Sequence, residues 1–359
     1  MIPRRVLSRL IIYRSTECVK GPELKEEPMI KHGPQGALMA DTTAFMKSRV
    51  ILTAAELDIF TLLDGEPLSS ARLAKKAGFN IRALSRVLDA LAAFGFLAKK
   101  DGVYSLTGNG SLLSSRHPGS VLPMILHMNR LWETWGDLSG MVRKGARGKR
   151  KHASRMEPGT LGAFIGAMDV IGKDLSLDIA DSYDLGPYRR LLDVGGASGT
   201  YTIAFLRKNP LLRATIFDLE AVIPMARRKM DAEGLADRVD FVPGDFYKDN
   251  LPGGHDLVLL SAIIHQNDPE ENVDLYRKVL DALVPGGAIL IRDHIMDAAR
   301  TAPAAGTLFA INMLVNTRGG GTYTFEEAKD GLTRAGFQDI RLVRTGDKMD
   351  CLVEARRPR

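Results

Sequence analysis

The spacing of apolar residues changes once along the chain, and the change predicts two parts with different folds. Up to residue 186, apolar residues recur mostly every three or four positions, which is typical of helices. From Leu191 onward, short apolar runs alternate with helix-like segments, which is the pattern of a parallel α/β sheet. We therefore predict a mainly helical N-terminal part and an α/β domain over 187–359.

The N-terminal part divides into an extension and a small domain. Residues 1–40 mix charged residues, prolines and glycines with little periodicity, so we expect a disordered extension there. Residues 41–117 predict three helices followed by a hairpin that turns at Asp101-Gly102, which is a winged-helix arrangement. The helices are expected at 42–63, 71–77 and 82–94, and the hairpin at 96–106.

A winged-helix domain either binds DNA or serves as a dimerisation module, and the cations of the third helix bear on this choice. That helix offers only Arg82 and Arg86. Phosphate contacts dominate affinity for DNA, and two cations supply few of them. A dimerisation module is therefore favoured, with DNA readout as the alternative.

Residues 118–186 predict two long helices that flank a basic loop at 143–155. The loop carries seven Lys and Arg residues, no acid and no aromatic residue. The chain has a formal net charge of +6, so the remainder is almost neutral, and a basic surface that would bind nucleic acid is not indicated. The loop is interpreted as exposed and mobile, with a lid that contacts phosphate or substrate as the alternative.

The composition of the 359-residue chain is that of a globular protein, with 45% hydrophobic and 26% charged residues. No apolar run approaches the ~20 residues that a transmembrane helix needs, so no membrane partner is expected. Cys18 and Cys351 lie at opposite ends of the chain, which leaves no disulfide framework and no metal-ligand spacing. We expect a soluble cytoplasmic protein without a metal.

The stretch 191–201 joins a short apolar run, an acid and a glycine-rich turn, which is typical of a buried strand, a tight loop and a helix start. Gly195, Gly196 and Gly199 allow the backbone to approach a ligand closely, and Asp193 lies at the strand's carboxyl end, where open α/β sheets bind ligands. The spacing differs from the dinucleotide pattern G-x-G-x-x-G, and an anionic Asp193 would repel a pyrophosphate. The loop suits a ligand with an ammonium or a sulfonium group.

Two further predicted strands lead into acids. Asp218 ends the strand at 214–218, and its carboxylate can accept both hydroxyl protons of an adenosine ribose; an acid that only caps the next helix is the alternative. After the strand at 239–243, Asp245 can accept from the adenine amino group while Phe246 covers the ring face. Acids at neighbouring strand ends together predict an adenosyl site.

His265 is the candidate general base. It lies just past the strand predicted at 256–261, on the ligand side of the sheet. A neutral imidazole, with an ordinary pKa of ~6.5, takes a proton near neutral pH. Asp293 ends the strand predicted at 287–293 and is placed to hold the other ring nitrogen or to contact substrate. Strand alternation turns His294 away from Asp293, which makes His294 the weaker candidate.

Taken together, residues 42–355 resemble the S-adenosylmethionine-dependent O-methyltransferases that act on small molecules, as in plant phenolic and bacterial polyketide enzymes. The resemblance implies a Rossmann-like methyltransferase domain preceded by a mainly helical winged-helix dimerisation domain. The motifs that carry it are Asp-Val-Gly-Gly-Ala-Ser-Gly at 193–199, Phe-Asp-Leu at 217–219, Gly-Asp-Phe at 244–246, Ile-Ile-His at 263–265, Pro-Gly-Gly at 285–287 and Tyr-Thr-Phe-Glu-Glu at 323–327.

The same resemblance implies S-adenosyl-L-methionine as the cofactor, a hydroxylated small molecule as the acceptor and a homodimer. It adds three residues to the predicted cofactor site, namely Leu219, Gly244 and Ser261. Family placement alone puts three more in the acceptor pocket, namely Met168, Asn312 and Met313.

The chain departs from the plant pattern around the base. Plant enzymes read Lys-Trp-Ile-Leu-His-Asp-Trp where 261–267 read Ser-Ala-Ile-Ile-His-Gln-Asn, and Thr322 stands in place of a second glutamate. Proton removal then depends on His265 with Asp293, or on an acceptor that is already acidic. Two alternatives remain at this point: a winged-helix regulator that binds DNA and senses a small molecule, and a homologue that binds S-adenosylmethionine without methylating.

Overall fold

The computed structural model describes residues 33–145 and 158–359. The chain divides into two compact units, Met1–Ser48 and Arg49–Arg359. The described part of the first unit is helical. Residues 1–32 of the expected extension and 146–157 of the expected basic loop lie outside the described residues.

The N-terminal domain has the winged-helix order of elements that the sequence predicts. Its three strands form an antiparallel sheet in the order β1-β3-β2, and Asp101 and Gly102 make the hairpin turn with φ of 50° and 77°. The elements are α1 (Pro34–Glu56), α2 (Ile59–Leu63), β1 (Leu68–Ser69), α3 (Ser70–Ala77), α4 (Ile81–Ala93), β2 (Leu97–Lys100), β3 (Val103–Leu106) and α5 (Gly108–Ser111).

Local capping explains where the small helices begin. The Ser69 side chain accepts from the backbone N–H of Arg72 at the start of α3, and Asn80 accepts from Ala83 at the start of α4. The apolar faces of these helices and the hairpin pack into a separate core cluster in which Phe60 and Leu88 are fully buried.

The structure corrects two expectations for the first helix. Disorder was expected up to residue 40, but α1 begins at Pro34, a residue type that is well tolerated in the first turn of a helix. One continuous helix was expected over 42–63, but α1 and α2 are separate because Asp58 adopts the left-handed conformation, with φ of 54°.

The segment after the N-terminal domain is helical, as predicted, with one break. The helix expected over 118–142 is two helices that meet at Asp137, whose ψ of 10° is outside the helical range. Arg143 and Lys144 of the expected basic loop form the last turn of the second of these helices. The helices are α6 (Leu122–Gly136), α7 (Leu138–Lys144) and α8 (Pro158–Ser182).

The C-terminal domain contains a seven-stranded sheet in the order β11-β12-β8-β7-β4-β5-β6. The five strands β4 to β8 run parallel to one another. β12 lies antiparallel beside β8, and β11 lies antiparallel beside β12 at the edge of the sheet. The strands are β4 (Arg190–Val194), β5 (Arg213–Asp218), β6 (Val239–Pro243), β7 (His255–Ser261), β8 (Leu283–Asp293), β11 (Gln338–Arg344) and β12 (Cys351–Arg356).

Helices cover both faces of this sheet, which explains why its strands are almost continuously apolar. Leu191 packs into the core on one face and Leu192 into the core on the other, and both are fully buried. A short parallel pair, β9 (Ile295–Met296) and β10 (Tyr323–Thr324), lies after β8. The helices are α9 (Thr200–Lys208), α10 (Ile223–Ala232), α11 (Pro269–Ala282), α12 (Ala304–Asn316) and α13 (Phe325–Ala335).

The order of the strands positions the site. β4, β5 and β6 are neighbours and run parallel, so the residues after their carboxyl ends meet along one edge of the sheet. β7 and β8 lie on the other side of β4 and bring their own carboxyl ends to the same edge. Across the described residues, no helix combines the length and the apolar character that crossing a membrane requires.

Candidate active site

The glycine-rich loop connects β4 to α9, as predicted. Gly195 and Gly199 have φ of 69° and 81°, a conformation that residues with a side chain rarely adopt. A β-carbon on Gly195 would lie 2.7 Å from Ile263 and 3.6 Å from Phe246, so the loop packs directly against the segments that follow β6 and β7. Two predicted parts of the cofactor site, the glycine-rich loop and Phe246, therefore lie together.

Asp193 lies beneath this loop. Its carboxylate is 1% exposed, accepts a hydrogen bond from the Thr202 hydroxyl at 2.6 Å, and lies directly under Gly196. Burial raises the pKa of Asp193 to about 6, and the nearby charge of Asp218 adds to the increase. The structure thus places the acid where it supports the loop and the first turn of α9, rather than on an open surface.

Asp218 lies at the end of β5, beside the loop. One carboxylate oxygen accepts from the N–H of Ala197 at 2.7 Å, and the other accepts from the N–H of Leu219 at 2.7 Å. Burial raises the pKa of Asp218, and these two hydrogen bonds partly oppose that increase. The carboxylate is consequently held in one orientation, with Leu219 directly beside it.

The segment after β6 contributes Gly244, Asp245 and Phe246. The N–H of Gly244 donates to the carbonyl of Asp218, which ties this segment to the end of β5. Asp245 accepts from the N–H of Tyr247 and forms an ion pair of 2.6 Å with Lys248, a mostly exposed side chain. The Phe246 ring packs toward the glycine loop, at the place where the sequence predicts a cover for adenine.

Ser261 ends β7 and contacts a buried cation. Its hydroxyl accepts from Nε of Arg292 at 2.9 Å, and Arg292 is 5% exposed with its guanidinium over the ring of Tyr201. The position of Ser261 at the carboxyl edge agrees with the prediction, and Arg292 is a neighbour that the sequence did not reveal.

His265 and Asp293 form a direct pair. Nδ1 of His265 lies 3.0 Å and 2.9 Å from the two carboxylate oxygens of Asp293, and the His265 side chain is 12% exposed. The histidine is on a single 3-10 turn, Ile264–Gln266, just after β7, and Asp293 is the last residue of β8. Phe309 of α12 contacts the imidazole edge-on, with ring centroids 4.8 Å apart.

The electrostatics of this pair favour a charged carboxylate. Burial alone would raise the pKa of Asp293, but His265, Arg292 and the backbone N–H of His294 outweigh it, so the pKa lies below its ordinary value. A carboxylate that accepts from Nδ1 leaves Nε2 as the nitrogen that can take a proton.

His294 lies under α12 and is 5% exposed, and its Nδ1 has no hydrogen-bond partner among the described residues. Burial lowers the pKa of His294. Its ring lies 5.1 Å from that of Phe309. The Asp293 carboxylate thus bonds to Nδ1 of His265 and accepts from the backbone N–H of His294.

The three predicted acceptor residues lie on two helices. Met168 is half-buried on α8, and Met313 is 7% exposed on α12. Asn312 of α12 accepts from Nε1 of Trp135 at 3.0 Å and from the Asn316 amide at 2.8 Å, which joins α12 to α6. The bond with Trp135 therefore links α12 to α6, and neither of these two bonds involves His265.

The sequence missed a buried polar cluster that holds the turn of His265. Asn267 is fully buried and accepts from the Tyr247 hydroxyl at 2.6 Å, and its own amide donates to Asn272 at 3.0 Å. In the sequence, the Asp268–Glu271 capping box indicates only that α11 starts directly after this turn.

With this geometry established, comparison with known proteins shows the family. Residues 164–338 match the O-methyltransferase domain, and residues 40–116 match the O-methyltransferase dimerisation domain. The tetracenomycin polyketide synthesis 8-O-methyl transferase TcmO of Streptomyces glaucescens is 33% identical over 91% of this chain and 98% of its own length. The chain belongs to the O-methyltransferase family.

Other relatives of this O-methyltransferase agree in sequence and in fold. The 3-hydroxy-5-methyl-1-naphthoate 3-O-methyltransferase of Streptomyces sahachiroi is 31% identical over 84% of this chain and 89% of its own length. Human N-acetylserotonin methyltransferase, solved with S-adenosylmethionine, superposes with a TM-score of 0.78 at 25% identity, covering 92% of this chain and 99% of that one. PigF with S-adenosylhomocysteine superposes with a TM-score of 0.81 at 25% identity, covering 90% of this chain and 100% of that one.

These findings confirm the predicted fold class, cofactor and reaction. The O-methyltransferase uses S-adenosyl-L-methionine and transfers a methyl group to a hydroxyl of a small molecule. The described residues fit that cofactor, since a loop too tight for side chains lies between the oriented carboxylate of Asp218 and the Phe246 ring. The findings do not support the alternative of a DNA-binding regulator.

Proposed function

We propose that His265 is the general base of this O-methyltransferase and that Asp293 positions it. The observation that carries the proposal is the bond from Nδ1 to the buried carboxylate, at the strand edge that also bears the glycine loop. The bound cofactor supplies an electrophilic methyl group on a sulfonium. Nε2 of His265 takes the acceptor's hydroxyl proton as that oxygen bonds to the methyl carbon and the carbon–sulfur bond breaks, which leaves S-adenosylhomocysteine.

Asp293 contributes by stabilising the imidazolium that this proton transfer creates. A charged carboxylate next to Nδ1 lies beside the positive charge that develops on the ring and fixes the ring's orientation. Phe309 packs against the ring edge-on and restricts its rotation. The enzyme's remaining task is alignment of the acceptor oxygen, since a sulfonium methyl needs little further activation.

The proposed cofactor site follows the carboxyl edge of β4, β5, β6 and β7. Gly195, Gly196 and Gly199 line the methionyl end, with Asp193 supporting the loop from below. Around the adenosine, the oriented carboxylate of Asp218 suits the ribose hydroxyls. The other proposed cofactor contacts are Leu219, Gly244, Asp245, Phe246 and Ser261.

The acceptor is proposed to be an aromatic molecule with a phenolic hydroxyl. Two curated relatives are named for O-methylation in tetracenomycin polyketide synthesis and of 3-hydroxy-5-methyl-1-naphthoate. The proposed pocket wall is formed by Met168, Asn312 and Met313, and Phe309 supplies an aromatic face beside the base. Uncharged and aromatic side chains of this kind favour contact with a flat aromatic ring system.

A methyl-transfer assay with labelled S-adenosylmethionine tests the proposed function. The acceptor panel contains hydroxynaphthoates, hydroxyanthraquinones and N-acetylserotonin, with the matching methyl ethers as blocked controls. We expect label in hydroxynaphthoates or hydroxyanthraquinones and none in the ethers. Calorimetric titration with S-adenosylhomocysteine runs in parallel, and absence of binding there would refute the proposed cofactor site.

A homodimer is proposed, with the first part of α1 covered by a second copy of the chain. Large apolar side chains of that segment are exposed, with Leu38 at 63% and Met39 at 60%. The dimerisation-domain match begins at residue 40 and supports this occupant. Light scattering is expected to give a dimer for the native chain and a monomer for Leu38→Lys/Met39→Lys. Leu211→Lys, at a site 66% exposed elsewhere, is the matched control, and a dimer that survives the double change would refute the proposal.

A cytoplasmic location is proposed as well. Cys351 is a buried free thiol, which is typical of proteins in a reducing compartment. Fractionation of cells that express the chain, with detection in the cytosolic fraction, tests this location.

A further inference from the structure

Asn267 buries its whole side-chain amide in the core, next to the turn Ile264–Gln266 that carries His265. It is 0% exposed, and it lies two residues after His265. Its side-chain oxygen accepts from the Tyr247 hydroxyl at 2.6 Å, and its side-chain nitrogen donates to Asn272 at 3.0 Å. Burying an amide is unfavourable unless its hydrogen bonds are made, and here both ends are bonded.

These bonds converge on the turn that carries His265. The amide of Asn272 donates to the carbonyl of Ile264 at 3.0 Å, and Asn272 is itself 4% exposed. The Tyr323 hydroxyl donates to the carbonyl of Asn267 at 2.5 Å. The residues on both sides of His265 are therefore held by side chains from three other segments of the chain.

His265 itself adds a fourth attachment. Its carbonyl accepts from the N–H of Gly321 at 2.9 Å, while its imidazole bonds to Asp293. The backbone of the turn and the ring are thus anchored independently. The bond between His265 and Asp293 orients the imidazole ring. It can do so only while the backbone of the turn stays in place.

Tyr247 connects this cluster to the cofactor side of the site. It directly follows Phe246, and the two rings lie 4.5 Å apart. Phe246 in turn lies 3.6 Å from the position of a β-carbon on Gly195. One tyrosine thus contacts the wall of the proposed adenine site with its ring and the turn of the base with its hydroxyl.

We infer that Tyr247 is a positioning residue for methyl transfer, and that it acts through Asn267 on the placement of His265. This inference rests on the proposed role of His265 as the base. A phenylalanine at position 247 would fill nearly the same volume and keep the packing of the ring. The effect on His265 therefore depends on the hydrogen bond from the Tyr247 hydroxyl to Asn267. Loss of the hydroxyl leaves the Asn267 oxygen buried without that donor, and the turn relaxes to satisfy it.

The test uses Tyr247→Phe with a matched control. Tyr183→Phe also removes one buried tyrosine hydroxyl, which bonds to the Tyr188 hydroxyl at 2.7 Å just before β4, at the opposite end of the sheet from His265. With the best acceptor of the hydroxynaphthoate and hydroxyanthraquinone panel, kcat of Tyr247→Phe is expected to fall about 10- to 100-fold, as for a catalytic group displaced by a fraction of an ångström. The Kd of S-adenosylhomocysteine is expected to change less than about threefold, and Tyr183→Phe is expected to keep its kcat within about twofold.

A double-mutant cycle separates positioning from general damage. In a His265→Asn background, Tyr247→Phe is expected to have no further effect on kcat, because the group that it positions is gone. Equal losses in Tyr247→Phe and Tyr183→Phe, or effects that multiply in the double variant, would overturn the inference. If His265→Asn alone leaves kcat unchanged, the proposed role of His265 as the base is refuted. That outcome is distinct from multiplying effects in the double variant, which refute only the positioning role of Tyr247.

A second measurement does not depend on the acceptor. Imidazole NMR signals of the protein bound to S-adenosylhomocysteine are assigned to His265 by their absence in His265→Asn. Tyr247→Phe is expected to shift or broaden these signals, while Tyr183→Phe leaves them in place. Unchanged His265 signals in Tyr247→Phe would refute the inference even if no acceptor on the panel is methylated.

Discussion

Replacement of His265 by asparagine tests the chemistry of the site with little damage to its structure. The asparagine amide occupies nearly the position of Nδ1, so it can still donate to Asp293, which lies 2.9 Å from Nδ1 in the native chain. The nitrogen corresponding to Nε2 is removed. His265→Asn therefore deletes the proposed base and keeps the partner of a carboxylate that is 1% exposed.

The expected magnitudes follow from these two roles. A positioned general base contributes about 10²- to 10⁴-fold to rate, which equals about 3–5 kcal/mol of barrier. The retained hydrogen bond limits the loss of stability to about 1 kcal/mol. His265→Ala, in contrast, leaves Asp293 buried without its partner, and losing one member of a buried pair costs about 3–5 kcal/mol. The alanine variant is thus the less informative of the two.

Single-turnover methyl transfer with labelled cofactor measures the chemical step, and calorimetry with S-adenosylhomocysteine measures the site's integrity. The His265 side chain contacts Asp293 and Phe309, so the cofactor product is expected to bind within about threefold of the native affinity. The rate deficit is expected to narrow as pH rises from about 7 toward 10, because phenols ionise by themselves near pH ~10.

A native single-turnover rate in His265→Asn at neutral pH would refute the base assignment. A deficit that stays constant up to pH 10 would refute it as well, because an ionised acceptor no longer needs a base. A parallel loss of S-adenosylhomocysteine affinity would assign His265 to cofactor binding instead.

Two further predictions concern Gly244, which follows β6, and Asp193, which lies near the end of β4. Gly244→Ala places a β-carbon 2.4 Å from the buried ring of Phe217, so urea unfolding is expected to show a loss of about 1–3 kcal/mol in the free energy of unfolding. In the control Gly253→Ala the new β-carbon meets nothing within 4 Å, and the free energy of unfolding is expected to stay within about 0.5 kcal/mol of the native value. Equal stabilities of the two variants would contradict this prediction. Burial raises the pKa of Asp193 in the folded state to about 6, against ~3.9 in the unfolded chain. The stability that protonated Asp193 contributes is therefore fully present below pH ~4 and is lost as pH rises through about 6. Between pH 4 and 7, the free energy of unfolding of Asp193→Asn relative to the native chain is expected to shift in the variant's favour by about 2–3 kcal/mol, and a pH-independent difference would contradict the elevated pKa.

Much of the fold was predictable because apolar periodicity and turn chemistry are local signals. The parallel strands were placed within a few residues of β4, β5, β6, β7 and β8. The helix breaks at Asp58 and Asp137 were not predictable, because both lie inside continuous apolar patterns and depend on backbone angles that the core imposes.

The meeting of three acids at one edge of the sheet was predictable for a topological reason. Acids that follow successive parallel strands must meet at one edge, so Asp193, Asp218 and Asp245 were assigned to one place before their contacts were visible. Their individual environments were not predictable. Asp193 is held by Thr202 under the loop, and Asp245 pairs with Lys248, and both facts depend on side-chain packing.

By itself, the sequence determined the parallel strands β4 to β8, the edge of the sheet where their carboxyl ends meet and the identity of His265 and Asp293 as candidates. The tertiary structure decided that Nδ1 of His265 meets the Asp293 carboxylate, that Tyr247 reaches Asn267, and that Trp135 bonds to Asn312 across 177 positions of the chain. The physical reason is that periodicity encodes which face of an element is buried. Contacts between distant residues depend instead on how those faces pack and on the rotamers that close packing allows.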